Sequence, residues 1–257
     1  RLFVGTNAIK RDFVWFQKNS KGFDVSLTDK TKDYVVLALM GPEAARIVSE
    51  CGAPELNELG YFKVGPAHIA GKHVRAARLS YVGEAGWEIT MKAKNAAAIY
   101  TALASVGAKP AGLYAQTSMR IEKGFCAMGH ELDSDVTPID AGLDFATRKA
   151  GGFIGAETLA EWRKKRGSSF LVSLKFHDET AIPLGHEPIY YDGKIIGKIS
   201  SCAFGYRIGT PVALGMVRHH ATSGIAVQVD IARQFFDATL ITGPLYDPEG
   251  IRMKSYE

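Results

Sequence analysis

Residues 34–40 read YVVLALM, an unbroken apolar run short enough to predict a buried strand. Gly41-Pro42-Glu43 then opens a helix, with Pro42 suited to a first turn and Glu43 to its positive end. Ala44, Ile47 and Val48 supply that helix with one apolar face, and Gly52 ends it. Residues 61–70 and 73–82 are expected to pair as a hairpin about Gly71-Lys72. A second turn over residues 83–86 leads into a strand at 87–91. Asn95 is placed to cap a helix over 96–105, and a further helix is predicted from Leu113 to Lys123, with Gly124 as its stop. The order β-α-β-β-β-α-α belongs to α+β layers rather than a doubly wound parallel sheet.

The pattern changes near residues 149–155, KAGGFIG. After them comes a basic helical stretch, 156–166, ending in the charge run Arg163–Arg166. Beyond Gly167 only strands and turns are expected: 170–176, 187–191, 194–201, 212–217, 225–231 and 235–241, with Asp192-Gly193 as a hairpin turn. Short strands at this spacing suggest a small barrel or sandwich. A domain boundary is placed near residue 160, giving units 1–160 and 161–257. There is no internal repeat.

Composition narrows the function classes. The 257 residues carry 31 basic and 27 acidic side chains, a formal charge of +4, which suits an anionic ligand but is no nucleic-acid signature. Cys51, Cys126 and Cys202 are too far apart for a CxxC site or a disulfide framework, so a reducing compartment is expected. No apolar run reaches membrane-spanning length, and no signal peptide is expected. The chain opens without Met in the apolar, strand-like RLFVG, from which we expect a cut inside a domain of a longer polypeptide.

Three stretches carry the chemistry: RLSYVGEAGWE at 78–88, MRIEKG at 119–124 and PLYDPEG at 244–250. Strand alternation sets Trp87, Ile89 and Met91 on one face and Glu88 and Thr90 on the other. Glu88 is there either as part of a solvated strand face or as a ligand clamp. Glu84, in the turn, is expected to be exposed. Taken together and in this order, the three stretches resemble the folate-binding one-carbon transferases of the glycine-cleavage T-protein family. The likeness is nearest to the carboxyl-terminal module of dimethylglycine and sarcosine dehydrogenases, and it covers nearly the whole chain.

The resemblance implies a fold of ferredoxin-like folate-binding layers followed by a small C-terminal β-barrel. It implies tetrahydrofolate as the cofactor, with Glu88 on the pterin, where one carboxylate accepts both N–H donors of the amino-pyrimidine edge. It assigns Tyr81 to the wall of the folate site and Phe145 to an aromatic contact with the pterin. The other readings are a half-buried strand aromatic for Tyr81 and a core strand residue for Phe145. Arg120 matches the family pattern, as a folate contact or as a partner of Glu122 or a neighbouring loop. Four positions earlier, where glycine-cleavage relatives carry a folate-binding arginine, this chain has Gln116, a departure that fits the dehydrogenase branch. The family's catalytic aspartate lies in a stretch preceding the equivalent of Arg1. Asp12 and Asp24 sit in other surroundings, so the catalytic residue is left unassigned.

Other candidates are weak. His219-His220 cannot share a strand face, and no carboxylate spacing points to a metal. Cys126 with His130 lacks an orienting third group for nucleophilic catalysis. GYRIG at 205–209 lacks the strand–helix context of a dinucleotide site and reads as a loop between strands. The expectation is therefore tetrahydrofolate-dependent aminomethyl-type transfer, as a module of a dimethylglycine or sarcosine dehydrogenase-like enzyme. Its partners would be folate, a small N-methyl amine or aminomethyl donor, and a flavin-bearing domain or subunit. FAD is expected only with an upstream domain. The setting would be the cytoplasm, or the mitochondrial matrix in a eukaryote. The alternatives are a non-catalytic folate-binding regulator and a stand-alone aminomethyltransferase or demethylase.

Overall fold

The computed structural model describes residues 2–5, 8–165, 169–218 and 222–255. Its first half is built on a four-stranded antiparallel sheet of β1 (Tyr34–Met40), β2 (Val64–Ile69), β3 (Lys72–Ala77) and β4 (Gly86–Lys92), in the order β1-β4-β3-β2. Alternation in β4 is as expected: Trp87, Ile89 and Met91 are buried on one face. They pack with Val74 and Ala76 of β3, with Ile47 and Val48 of α2 (Ala44–Glu50), and with Ile99 and Leu103 of α3 (Ala96–Ser105). The opposite face carries Val36, Ala38, Arg75 and Glu88, of which the first three are exposed.

Several local expectations shift. The β2–β3 hairpin turns at Ala70-Gly71, one residue earlier than predicted, with both residues at positive φ. That is the two-residue geometry matching strand twist, and it places glycine second. Residues 41–43 form a turn rather than helix, so Pro42 precedes α2. Asn95 closes a 3-10 turn, Ala93–Asn95, and its side chain caps nothing. Residues 2–5, read from sequence as strand-like, have no regular structure, and a helix that was not predicted follows them. α1 (Ile9–Asn19) has no buried residue, and Trp15 remains 51% exposed.

Gly86 explains why the GWE stretch needs glycine. A Cβ there would stand 2.3 Å from the Leu39 carbonyl oxygen on the paired strand, so only a hydrogen fits.

Two helices follow, α4 (Leu113–Glu122) and, after a long irregular stretch, α5 (Ala156–Lys165). The rest closes into a six-stranded barrel, β10-β5-β8-β7-β6-β9, made of β5 (Phe170–Phe176), β6 (Pro188–Tyr191), β7 (Lys194–Gly205), β8 (Thr210–Val217), β9 (Ile225–Ile231) and β10 (Gln234–Ile241). The α+β class with a C-terminal barrel is thus the observed architecture. The barrel has its own core, including Leu174, Phe176, Ile199, Val229 and Leu240. A smaller cluster of Ile121 with Val212 and Leu214 joins α4 to the barrel wall. β7 runs four residues beyond its predicted end at Ser201, with a register shift between Ile199 and Ser201. Such bulges re-aim neighbouring side chains. The chain finishes in the short α6 (Ile251–Lys254), which Arg78 reaches by donating to the Lys254 carbonyl. Arg166 and the His219-His220 pair lie outside the described residues.

Candidate functional site

The three stretches singled out in the sequence converge in space. Glu122, at the end of α4, is fully buried. Its main-chain carbonyl accepts from the amides of Leu245 (3.0 Å) and Tyr246 (2.9 Å). Next along, Lys123 pairs with Asp247 at 2.9 Å. Its aliphatic stem also packs on Gly83, where a Cβ would come within 3.1 Å of it. The Tyr246 hydroxyl donates to Glu84 at 2.5 Å. Glu84 is therefore not the exposed turn residue expected from sequence; it is 8% exposed. A turn carboxylate becomes buried here because a tyrosine and an arginine from the distant carboxyl-terminal half come to satisfy it.

Arg120 is buried, but its partner is Glu131 (2.7 Å), not Glu122. It also donates to the Phe125 carbonyl (3.1 Å) and to Ser201 Oγ (2.6 Å). Burial by itself would raise the Glu131 carboxyl; hydrogen bonds from Ser201 and Ser200 and the charge of Arg120 outweigh it and hold the group below its ordinary range. Arg120 thus braces the loop after α4. That loop in turn holds Tyr81, whose hydroxyl donates to the Cys126 carbonyl at 2.8 Å and whose ring stacks on Phe125 at 6.0 Å. Burial raises the Tyr81 phenol, which keeps it a proton donor. Burial also pushes the Cys126 thiol up to about 11, so it carries almost no thiolate near neutrality and makes a poor nucleophile. His130, its suggested companion, is exposed.

Glu88 is half-buried on the sheet face opposite the core, between Ala38 of β1 and Ala77 of β3. Small neighbours on both sides leave its carboxylate open to that face, and among the described residues it has no hydrogen-bond or ion-pair partner. Phe145 is not the core strand residue that one expectation made it. It is 75% exposed, on the 3-10 turn Asp144–Ala146. That turn is anchored through Asp144, which accepts from Lys149 and from Arg163 of α5 (2.7 Å). These cations hold the Asp144 carboxyl well below its usual range. A cavity of about 820 Å³ opens here, lined by Lys149, Gly152, Phe153 and Arg163 among others; a smaller one of about 320 Å³ lies at the β6–β7 turn. Tyr81, Glu88, Arg120 and Phe145 line neither of them.

Arg207, in the β7–β8 loop, was not singled out from the sequence. GYRIG reads as a loop, as expected, but its arginine reaches into the buried junction and meets Glu122 and Glu84. Its only local signal is a charge between Gly205 and Gly209, in a place where glycine permits close backbone approach. Among the described residues, no group of three or more His, Cys, Asp or Glu is arranged to hold a metal, and no helix is long and apolar enough to cross a membrane.

Comparison with known proteins identifies the family. The GCVT N-terminal domain matches residues 1–150, and the glycine cleavage T-protein C-terminal barrel domain matches 170–247. An aminomethyltransferase of Rubrobacter xylanophilus is 31% identical over 258 residues, covering 97% of this chain and 68% of the relative. The mitochondrial dimethylglycine dehydrogenase of Homo sapiens is 28% identical over 98% of this chain, a match that spans 30% of the human protein. The crystal structure of glycine cleavage system aminomethyltransferase T from Bartonella henselae superposes with a TM-score of 0.82 at 28% identity, covering 95% of this chain and 68% of that one.

Proposed function

Because this chain belongs to the glycine-cleavage T-protein family, we propose that it binds tetrahydrofolate and takes part in aminomethyl-type one-carbon transfer. The observation that carries the reading is Glu88, a half-buried carboxylate in mid-sheet, flanked by Ala38 and Ala77 and without a partner among the described residues. Partly buried carboxylates normally find a donor. The amino-pyrimidine edge of a pterin offers two adjacent N–H groups, which one carboxylate accepts side by side. Tyr81 forms the neighbouring wall, its ring fixed by Phe125 and its hydroxyl by the Cys126 carbonyl. Phe145, exposed on its turn, offers a free ring for stacking. Arg120 supports the site from beneath by holding the loop on which Tyr81 rests. Bound folate supplies the N5 nitrogen that takes up the one-carbon unit. What this chain contributes is orientation of the pterin and exclusion of water.

A second reading, as the folate module of an amine dehydrogenase with a separate flavin domain, is favoured by Gln116. That position carries a folate-binding arginine in the glycine-cleavage branch. Either setting, cytosol or mitochondrial matrix, suits the three free thiols.

The test is calorimetric titration of the chain and its Glu88→Gln variant with tetrahydrofolate. Binding by the parent and a loss of about 1–3 kcal/mol in the variant is the expected result, since a charged acceptor is lost from a donor pair. Equal affinity of the two proteins removes Glu88 from the site.

A further inference from the structure

We propose that Arg207 is the positioning residue for the folate-side loop, through which the barrel sets the geometry of Tyr81 and of the entry to β4. The inference rests on the folate reading of that loop.

The guanidinium of Arg207 has partners from three separate stretches of chain. Its Nε donates to the buried carboxylate of Glu122, and its main-chain amide donates to the same group at 2.7 Å. One terminal nitrogen donates to the Val82 carbonyl at 2.9 Å and lies 3.3 Å from Glu84. The other donates to the Met119 carbonyl at 2.9 Å. The group also lies over the Tyr246 ring, 3.8 Å from its centroid. A single planar fork thus holds two carboxylates and two carbonyls at once. A lysine ammonium, a point charge without the fork, cannot span them.

The approach depends on Gly205. A Cβ there would stand 2.9 Å from Val212 and 3.2 Å from the Glu122 carboxylate. Glycine therefore lets the β7–β8 loop come close enough for Arg207 to cross the junction.

The consequence falls on residues 81–85. Val82 follows Tyr81 directly, so the bond to its carbonyl fixes the backbone from which the Tyr81 side chain projects. Glu84, held by Arg207 and by the Tyr246 hydroxyl, fixes the far side of the turn. The far end of the Tyr81 side chain is already held by the Cys126 carbonyl. Arg207 touches no proposed folate contact itself; it acts through the main chain beside one.

The experiment compares the full chain with Arg207→Met and Arg207→Lys. Amide hydrogen exchange is followed at residues 81–86, with the β9–β10 hairpin as internal control. Tetrahydrofolate affinity is measured well below each variant's melting temperature. Arg207→Met should speed exchange at 81–86, leave the hairpin unchanged and weaken folate binding by about tenfold or more, as misplaced contacts do. Arg207→Lys, which keeps the charge and serves if the Met variant fails to fold, should show the same pattern to a lesser degree. Unchanged exchange at 81–86 overturns the proposal, and so does a loosened loop with parental folate affinity. Lack of folate binding by the parent overturns the folate reading instead. In that case faster exchange at 81–86 still supports the hold of Arg207 on the loop, and unchanged exchange removes it.

Discussion

The Lys123 ammonium and the Asp247 carboxylate meet at 2.9 Å, 124 residues apart in sequence, with side chains only 3% and 9% exposed. Lys123 also donates to the Asp247 main-chain carbonyl. The pair therefore ties the end of α4 to the strap that follows the barrel. Removing one partner of such a pair leaves an uncompensated buried charge, which costs far more than the pair contributes. Lys123→Met should lower stability by about 3 kcal/mol in urea unfolding. Adding Asp247→Asn should restore part of that loss, because the two sites share one interaction. A loss in Lys123→Met below about 1 kcal/mol, the range of exposed pairs, would show the strap to be held by other contacts.

Glu131 makes stability depend on acid. Its folded-state pKa lies below the unfolded carboxylate value of about 4.3, because the Ser201 and Ser200 hydroxyls and the charge of Arg120 outweigh the effect of burial. Its contribution is therefore complete above that unfolded value and is lost as pH falls through the folded one. Glu131→Gln should cost about 3 kcal/mol near pH 7 by leaving Arg120 without its counter-charge. Its urea midpoint should then fall less steeply than the parent's below about pH 4. Parallel acid limbs for the two proteins would count against the assignment.

Phe145 now allows a cleaner test than sequence permitted. At 75% exposure it contributes little to the core. Phe145→Ala should change stability by less than about 0.5 kcal/mol, as surface substitutions usually do. Any fall in tetrahydrofolate affinity would then report direct contact. Unaltered affinity together with unaltered stability would take Phe145 out of the site.

The β9–β10 hairpin turns at Ala232-Arg233, both at positive φ (53° and 68°). The β2–β3 and β6–β7 hairpins use the same geometry at Ala70-Gly71 and Asp192-Gly193, with glycine second. Replacing Ala232-Arg233 by Asn-Gly should stabilise the barrel by about 1 kcal/mol, read as a higher melting temperature. No rise would mean that the Arg233 side chain contributes contacts worth as much as the relief of strain.

Gly86 predicts the opposite sign. Gly86→Ala would drive a methyl group to 2.3 Å from the Leu39 carbonyl oxygen, which must separate β1 from β4. A loss of about 3 kcal/mol or more is expected in thermal or urea unfolding. A variant as stable as the parent would show that β1 shifts freely.

Elements whose signal is local were legible from the chain alone. β5 and β9 match their predicted limits, as does α3, because apolar periodicity and flanking turn residues act within a few positions. The same holds for the Asp192-Gly193 turn and for the inward set Trp87, Ile89 and Met91. α1 was not predicted although its apolar positions repeat at helical spacing, and none of its residues is buried. β7 was cut short because its bulge near Ser200 breaks the alternation on which strand reading depends.

The sequence by itself determined which residue types were present and which faces of strand and helix they would occupy. It also carried the three stretches that mark the family. Only the tertiary structure decided that those stretches form one junction, that Glu84 is buried, that Arg120 serves Glu131, and that Arg207 ties the barrel to the loop at Tyr81. Periodicity and turn chemistry are settled by neighbours in the chain. An ion pair between residues more than a hundred positions apart is settled by which surfaces the fold brings together, and no local pattern encodes it.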